Sequence, residues 1–412
     1  MTGADEQTAR GGLAFVLGAT VVAGGIGYVI QALVPAFTSS ADYLAFSIFW
    51  SAVYLAATAL SGIQQEITRA STSQPDASGW RLLAGFTLTC AGIGAGVIVA
   101  TGPLWAARVF VTDAAALVVA LAVAAVGYTL VAGLSGALYG VRNWPGVAGM
   151  TVADSALRLI AIVLALVAGA GVVGLGWAVA LPFLVAVVAM WALTGAGVRR
   201  RLALDTRFAG LARNSARTVA ASVASGLLIS GLPFLLGLTS SALPSSVLAS
   251  LILVLTLTRA PLVIPLLALQ SYLVVTFRDA GRGTGRRVLL WGGGLVTVTA
   301  VLAAAAMFVG PGVISLLYAD RYELPAYAYA AIVAGAGLTG LLCITGPAVL
   351  AAGRHSLYLA GWAAASVATI AYLLLRPATL PDVLAALVVG PLVGVVVHAV
   401  GWSAGRQARV SG

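Results

Sequence analysis

The sequence predicts an all-α polytopic membrane protein of about 12 transmembrane helices, arranged as two pseudo-symmetric six-helix lobes. Three observations carry this expectation. Of 412 residues, 61% are apolar and only 8% are charged, where soluble globular domains run to about 45–50% and 25%. A water-soluble enzyme of this length needs a polar surface that such a composition cannot supply. The apolar residues form runs long enough to cross hydrocarbon at about 20 residues each, and arginine is concentrated in every second gap between them.

The expected spans are 11–34, 43–63, 82–104, 114–138, 147–170, 174–197, 215–237, 245–267, 288–309, 328–351, 357–375 and 383–403. The first is longer than a signal-peptide core and another apolar run follows it at once, so it reads as a retained span. Val34-Pro35 and Trp144-Pro145-Gly146 are typical of the short connections between spans.

All 22 basic residues are Arg. With the N-terminus inside, the inner segments hold 17 of them, the outer loops hold Arg108, Arg321 and Arg376, and Arg158 and Arg259 fall within spans. That asymmetry puts both termini in the cytoplasm. The net charge of +10 then reflects inner loops beside anionic lipid rather than nucleic-acid binding.

The longest inner loop, 198–214, lies at the midpoint, with six spans on either side. An offset of 206 residues brings Ser39-Ser40 onto Ser245-Ser246, Gln64 onto Gln270 and Gly79-Trp80-Arg81 onto Gly285-Arg286-Arg287. The chain therefore divides into an N-lobe, 1–204, and a C-lobe, 205–412. Halves with an even number of spans insert in the same orientation, as a parallel repeat. Two such lobes enclose a central cavity and permit alternating access.

Three segments carry a resemblance. Gly62-Ile63-Gln64-Gln65-Glu66-Ile67-Thr68-Arg69-Ala70, Leu257-Thr258-Arg259-Ala260-Pro261-Leu262 and Tyr318-Ala319-Asp320-Arg321-Tyr322 are similar to segments of actinobacterial polysaccharide flippases. These belong to the multidrug/oligosaccharidyl-lipid/polysaccharide (MOP) exporter superfamily. The resemblance implies two six-helix bundles in a MATE-like V and the movement of a polyprenyl-diphosphate-linked glycan across the cytoplasmic membrane for cell-envelope synthesis. Lipid II flippases of the superfamily commonly carry two more spans than this chain, and that branch is less favoured.

Ionisable groups at membrane depth cost at least about 2.5 kcal/mol each, which makes each one a candidate for function. Arg259, far into the eighth span, is the expected ligand of the diphosphate, since a guanidinium stays charged and binds such groups bidentately. Its alternative is a structural charge held by a carboxylate or by helix-end carbonyls. Pro261 and Pro265 follow it and predict a kink. Asp154 and Arg158, at i and i+4 in the fifth span, share a helix face. An internal ion pair is the first reading of them. The second places Arg158 on the cavity wall, with Asp154 orienting it or responding to protons.

Glu66 and Arg69 close the second span, either as a solvated pair or with Arg69 at the cytoplasmic mouth of the cavity. Gln64, Gln65 and Gln270 can hydrogen-bond sugar hydroxyls or join helices. His398 reads as a hydrogen-bonded structural residue, and Cys90 and Cys343 as buried inert thiols.

Two His and two Cys, scattered, offer no metal site. Gly281-Arg282-Gly283-Thr284-Gly285-Arg286-Arg287 lacks the Gly-Lys-Ser/Thr ending of a phosphate-binding loop, so no ATP engine is expected. The outer acids Asp42, Asp113, Asp320, Glu323 and Asp382 are spread over short loops, so no enzymatic activity or cofactor is expected. Spans one and seven contain no Asp or Glu, where drug exporters of the superfamily often carry an acid. Net positive depth charge suits an anionic substrate. The alternative function is a proton- or sodium-coupled multidrug or cation exporter of the same fold. The expected surroundings are a bilayer and a lipid-linked glycan, with no nucleic acid and a working monomer.

Overall fold

A computed structural model describes residues 3–74, 79–110, 113–240, 242–376 and 379–410. Side chains at 3–11, 13, 14, 260, 261, 264, 267, 268, 271, 275, 282 and 404–410 lie outside the described set. Among the described residues, ten helices are long and apolar enough to cross a membrane, and a bent pair makes up to 11 spans. The chain is a multi-pass, helical membrane protein.

The helices are α1 (Gly3–Phe37), α2 (Ser40–Ala70), α3 (Gly79–Val109), α4 (Ala114–Gly140), α5 (Trp144–Val167), α6 (Val172–Arg201), α7 (Phe208–Ile229), α8 (Leu232–Thr239), α9 (Ser245–Ala268), α10 (Gln270–Ala280), α11 (Thr284–Tyr318), α12 (Ala326–Ala351), α13 (His355–Leu375) and α14 (Leu380–Val410). Local chemistry sets several boundaries. Asn143 caps α5, its Oδ1 accepting from the Gly146 amide at 3.0 Å, with proline in the first turn. Gly169, at φ +66°, follows α5 in the left-handed region that glycine adopts freely.

Two expectations differ from the structure. The seventh span, expected unbroken over 215–237, is α7 and α8 bent by 73° at Ser230-Gly231. Pro233 in the first turn of α8 has no amide hydrogen for a continuous ladder. In the eighth span the apolar stretch is the shorter Ser245–Arg259, within α9. The chain after it, expected as an inner loop, forms the amphipathic helix α10, which buries Leu273 and Phe277 against Ile344 and Ala348. A two-stranded ladder was also not expected: β1 (Ser71–Ser73) pairs antiparallel with β2 (Leu202–Leu204).

The contacts divide the chain into two compact units. Unit 1 comprises Met1–Phe37 and Ala45–Gly226. Its centre is α4, packed between α3 and α6. The start of α7 belongs here because Thr218 donates to the Gly62 carbonyl at 2.7 Å and Asn214 donates to Glu66 at 2.9 Å. Unit 2 comprises Thr38–Leu44 and Leu227–Gly412. Its centre is α12, packed by α9, α10, α11 and α14. Residues 38–44 belong here because the Tyr43 ring meets Tyr322 edge-on at 5.6 Å and Arg321 donates to the Thr38 carbonyl at 2.9 Å.

One packing device occurs in both units. In unit 1, Gly133 of α4 faces Thr87 of α3 so closely that an added Cβ would stand 2.7 Å from the threonine side chain. In unit 2, Gly337 of α12 faces Thr299 of α11, with the corresponding distance 2.3 Å. Both threonine hydroxyls are buried without a hydrogen-bond partner. Absence of a side chain lets the helix backbones close up, as membrane helices commonly do.

Candidate functional site

In unit 1, α5 carries Asp154 and Arg158 one turn apart. Arg158 is 2% exposed, and all its nitrogens have partners. Nη2 donates to Asp154 Oδ1 at 2.6 Å, Nη1 to the Tyr54 hydroxyl at 2.9 Å and Nε to the Val179 carbonyl at 3.3 Å. The guanidinium lies 4.2 Å from the Phe183 ring centroid and 5.7 Å from that of Tyr54. Trp50 stacks on Tyr54, and Tyr128 meets Phe183 edge-on. This is the internal ion pair of the first reading, with an aromatic lining that also attracts the cation. Each of its three nitrogens is engaged within unit 1.

Glu66 and Arg69 also pair. Arg69 donates from Nε and Nη2 to the two carboxylate oxygens at 2.8 and 2.7 Å, and from Nη1 to Asp205 at 3.2 Å. Glu66 is 3% exposed while the Arg69 side chain is half-exposed. The arginine therefore caps a buried acid that also accepts from Asn214. Gln64 is half-buried and Gln65 exposed on the same helix.

Unit 2 presents the opposite situation. Arg259 of α9 is 8% exposed, yet among the described residues it has no carboxylate within ion-pairing distance. Its Nε has no hydrogen-bond partner, and Nη2 makes only a long contact of 3.5 Å to the Thr339 hydroxyl. It lines a pocket with Thr339, Thr369, Leu255, Leu387 and Pro391 that leaves about 10 Å³ for the centre of a water molecule. A buried charge without a partner is costly, and proteins retain one where a ligand or counter-ion completes it.

Pro265 is exposed, and its carbonyl accepts from the Leu269 amide at the α9–α10 junction. The Pro261 side chain lies outside the described residues. His398 is 1% exposed and hydrogen-bonded at both ring nitrogens, to Thr345 at 2.9 Å and to the Tyr358 carbonyl at 3.3 Å.

Several functional neighbours escape a reading of the sequence. Tyr54, Val179 and Phe183 come to Arg158 from other helices, and Thr339 and Thr369 reach the Arg259 pocket from α12 and α13. The signal present was weak: a threonine within a small, apolar run such as Gly337-Leu338-Thr339-Gly340. Among the described residues no three His, Cys, Asp or Glu side chains gather as a metal site requires.

No family model matches the chain. Two uncharacterized proteins of Mycobacterium tuberculosis are similar over nearly the whole length. Rv1510 is 33% identical over 399 residues, covering 95% of this chain and 91% of the relative. Rv3630 is 32% identical over 397 residues, covering 95% and 92%. Among solved structures, an inward-facing MATE multidrug resistance transporter of the MOP superfamily superposes with a TM-score of 0.68 at 17% identity over 96% of both chains. The lipid II flippase MurJ, inward closed, gives 0.67 at 11% identity over 93% of this chain and 86% of its own. A MOP transporter from Pyrococcus furiosus, in which reversed polarity of the binding pocket suggests a different function, gives 0.61 at 15% identity over 95% and 96%. These similar structures are transporters, and the likeness establishes the fold.

Proposed function

Since the chain belongs to the family of mycobacterial Rv1510 and Rv3630 and has the fold of MOP transporters, we propose that it flips a polyprenyl-diphosphate-linked glycan. It works by alternating access in the bacterial cytoplasmic membrane, as a monomer with both termini in the cytoplasm, for cell-envelope polysaccharide synthesis. Carrying a diphosphate and sugars through hydrocarbon without shielding is prohibitive. A protein that moves such a head group must offer it fixed positive charge while the lipid tail stays in the bilayer.

One observation carries the reading. Arg259 is a buried guanidinium with an unpartnered Nε and, among the described residues, no carboxylate. A diphosphate oxygen completes it, and a cation is repelled by it. Gln64, Gln65 and Gln270 are the proposed contacts to sugar hydroxyls, and Arg69 and Arg158 the further positive charges along the route. Asp154 and Glu66 are their charge partners. The two halves, 1–204 and 205–412, are the proposed repeat, with Pro261 and Pro265 shaping the helix after Arg259.

The second reading is a proton- or sodium-coupled multidrug exporter of this fold. It is supported by the likeness to MATE transporters and by the mostly buried Asp154. Native mass spectrometry of the protein in mild detergent separates the two. The flippase reading expects a co-purifying prenyl-diphosphate glycan in the wild type and none in Arg259→Ala. No such lipid in either sample, together with ion-coupled efflux of organic cations from vesicles, overturns it.

A further inference from the structure

The Arg259 pocket contains two more polar groups, the hydroxyls of Thr339 and Thr369, 2% and 0% exposed. Thr339 Oγ1 donates to the Gly335 carbonyl and Thr369 Oγ1 to the Ala365 carbonyl, both at 3.0 Å. Each of these is a back-bond to residue i−4 in the same helix. A carbonyl in that position already accepts the helical amide, so it does not depend on the hydroxyl. A threonine proton can rotate away from it at little cost. The side chains themselves are held by packing. Gly390 of α14 comes so close to Thr369 that an added Cβ would stand 1.8 Å from its Oγ1. Arg259 Nη2 already points to Thr339.

The geometry points to an oxyanion cradle: Arg259, Thr339 and Thr369 together donate to one non-bridging phosphoryl oxygen. With both hydroxyls turned inward, three side chains from α9, α12 and α13 present donors to one volume. That volume has room for about one water-sized group. It therefore admits a single oxygen, not a whole diphosphate, and the remainder of the head group lies outside it. Hydroxyl donors add what a lone guanidinium lacks: fixed positions around the oxygen, in surroundings where a charged acceptor makes strong bonds. The shared chemistry is a phosphate ester or anhydride oxygen, and either a lipid-linked or a water-soluble diphosphate can provide it. The inference rests on the reading of Arg259 as the head-group ligand.

The test uses the full chain in nanodiscs, with undecaprenyl diphosphate and inorganic diphosphate as probes. Thr339→Val and Thr369→Val keep the side-chain shape and remove the hydroxyl. Each is expected to weaken undecaprenyl diphosphate binding at least about 10-fold, as for hydrogen bonds to charged groups. Thr→Ser at either position should restore binding, and the thermal midpoint should not move. Full-strength binding by both Val variants, with none by Arg259→Ala, overturns the cradle and leaves the Arg259 reading intact. Wild-type binding by Arg259→Ala overturns both. Inorganic diphosphate held as tightly as the lipid, through the same three residues, supports the cradle and overturns a lipid-linked ligand. If a Val variant does not accumulate, Thr→Ala at the same position supplies the missing measurement with the same expected outcome.

Discussion

Arg158 and Arg259 invite a direct comparison. Each is the fifteenth residue of a 24-residue helix, and each is almost wholly removed from solvent. Arg158 is surrounded by a carboxylate, a hydroxyl, a carbonyl and two aromatic rings. Arg259 has one long contact to a hydroxyl. The lesson is that burial of a charge in a membrane helix does not by itself mark a site. The surrounding partners decide whether the charge belongs to the architecture or is left available to a ligand.

The comparison can be broken most sharply at Asp154. Asp154→Ala leaves Arg158 buried and uncompensated, and a loss of about 3–5 kcal/mol is expected in detergent unfolding. Changing both residues to Leu should recover most of it, because a buried pair is often replaced by apolar groups without loss. Arg259→Leu is expected to have the opposite sign. No native ion pair is broken and a desolvated charge disappears, so the unfolding midpoint should hold or rise. A large destabilisation there would make Arg259 a structural residue.

The matched glycines should behave alike where the arginines do not. Gly133→Ala and Gly337→Ala each crowd a threonine on the neighbouring helix, and a cost of about 1–3 kcal/mol is expected at both. Unequal effects, measured by the same unfolding assay, would argue against equivalent frameworks. The smallest effect belongs to Arg69→Gln. Its side chain is half-exposed, and Glu66 retains Asn214 as a donor, so the loss should stay below about 1 kcal/mol.

Much of the fold was legible because hydrocarbon imposes one simple demand, a long apolar run for each crossing. The positions of α1 to α6 and of α11 to α14 follow from it closely. The break between α7 and α8 was less legible. Gly231 and Pro233 are visible, but membrane helices tolerate such residues, and only the surrounding packing decides whether a helix bends or stops. The ladder between β1 and β2 gave no local signal, since three residues carry no periodicity.

At the sites, the sequence identified the Asp154–Arg158 pair because its spacing is local to one helix. It marked Arg259 as a deep charge but left open whether a carboxylate held it. That question depends on neighbours 80 and more residues away, such as Thr339. The same distance concealed the threonines, which in sequence look like ordinary small residues of membrane helices.

The ladder between Ser71–Ser73 and Leu202–Leu204 also has a consequence in time. Its second strand leaves the ribosome roughly 130 residues after its first, a delay of many seconds at about 5–20 residues per second. During that interval four helices enter the membrane while β1, at the end of α2, has no strand to pair with. The start of α7, which bonds to Gly62 and Glu66, arrives later still. Unit 1 therefore cannot close until synthesis has passed the midpoint of the chain. Its last contacts form after its helices have been delivered, and a nascent chain held before β2 emerges would leave the inserted helices without their fastening.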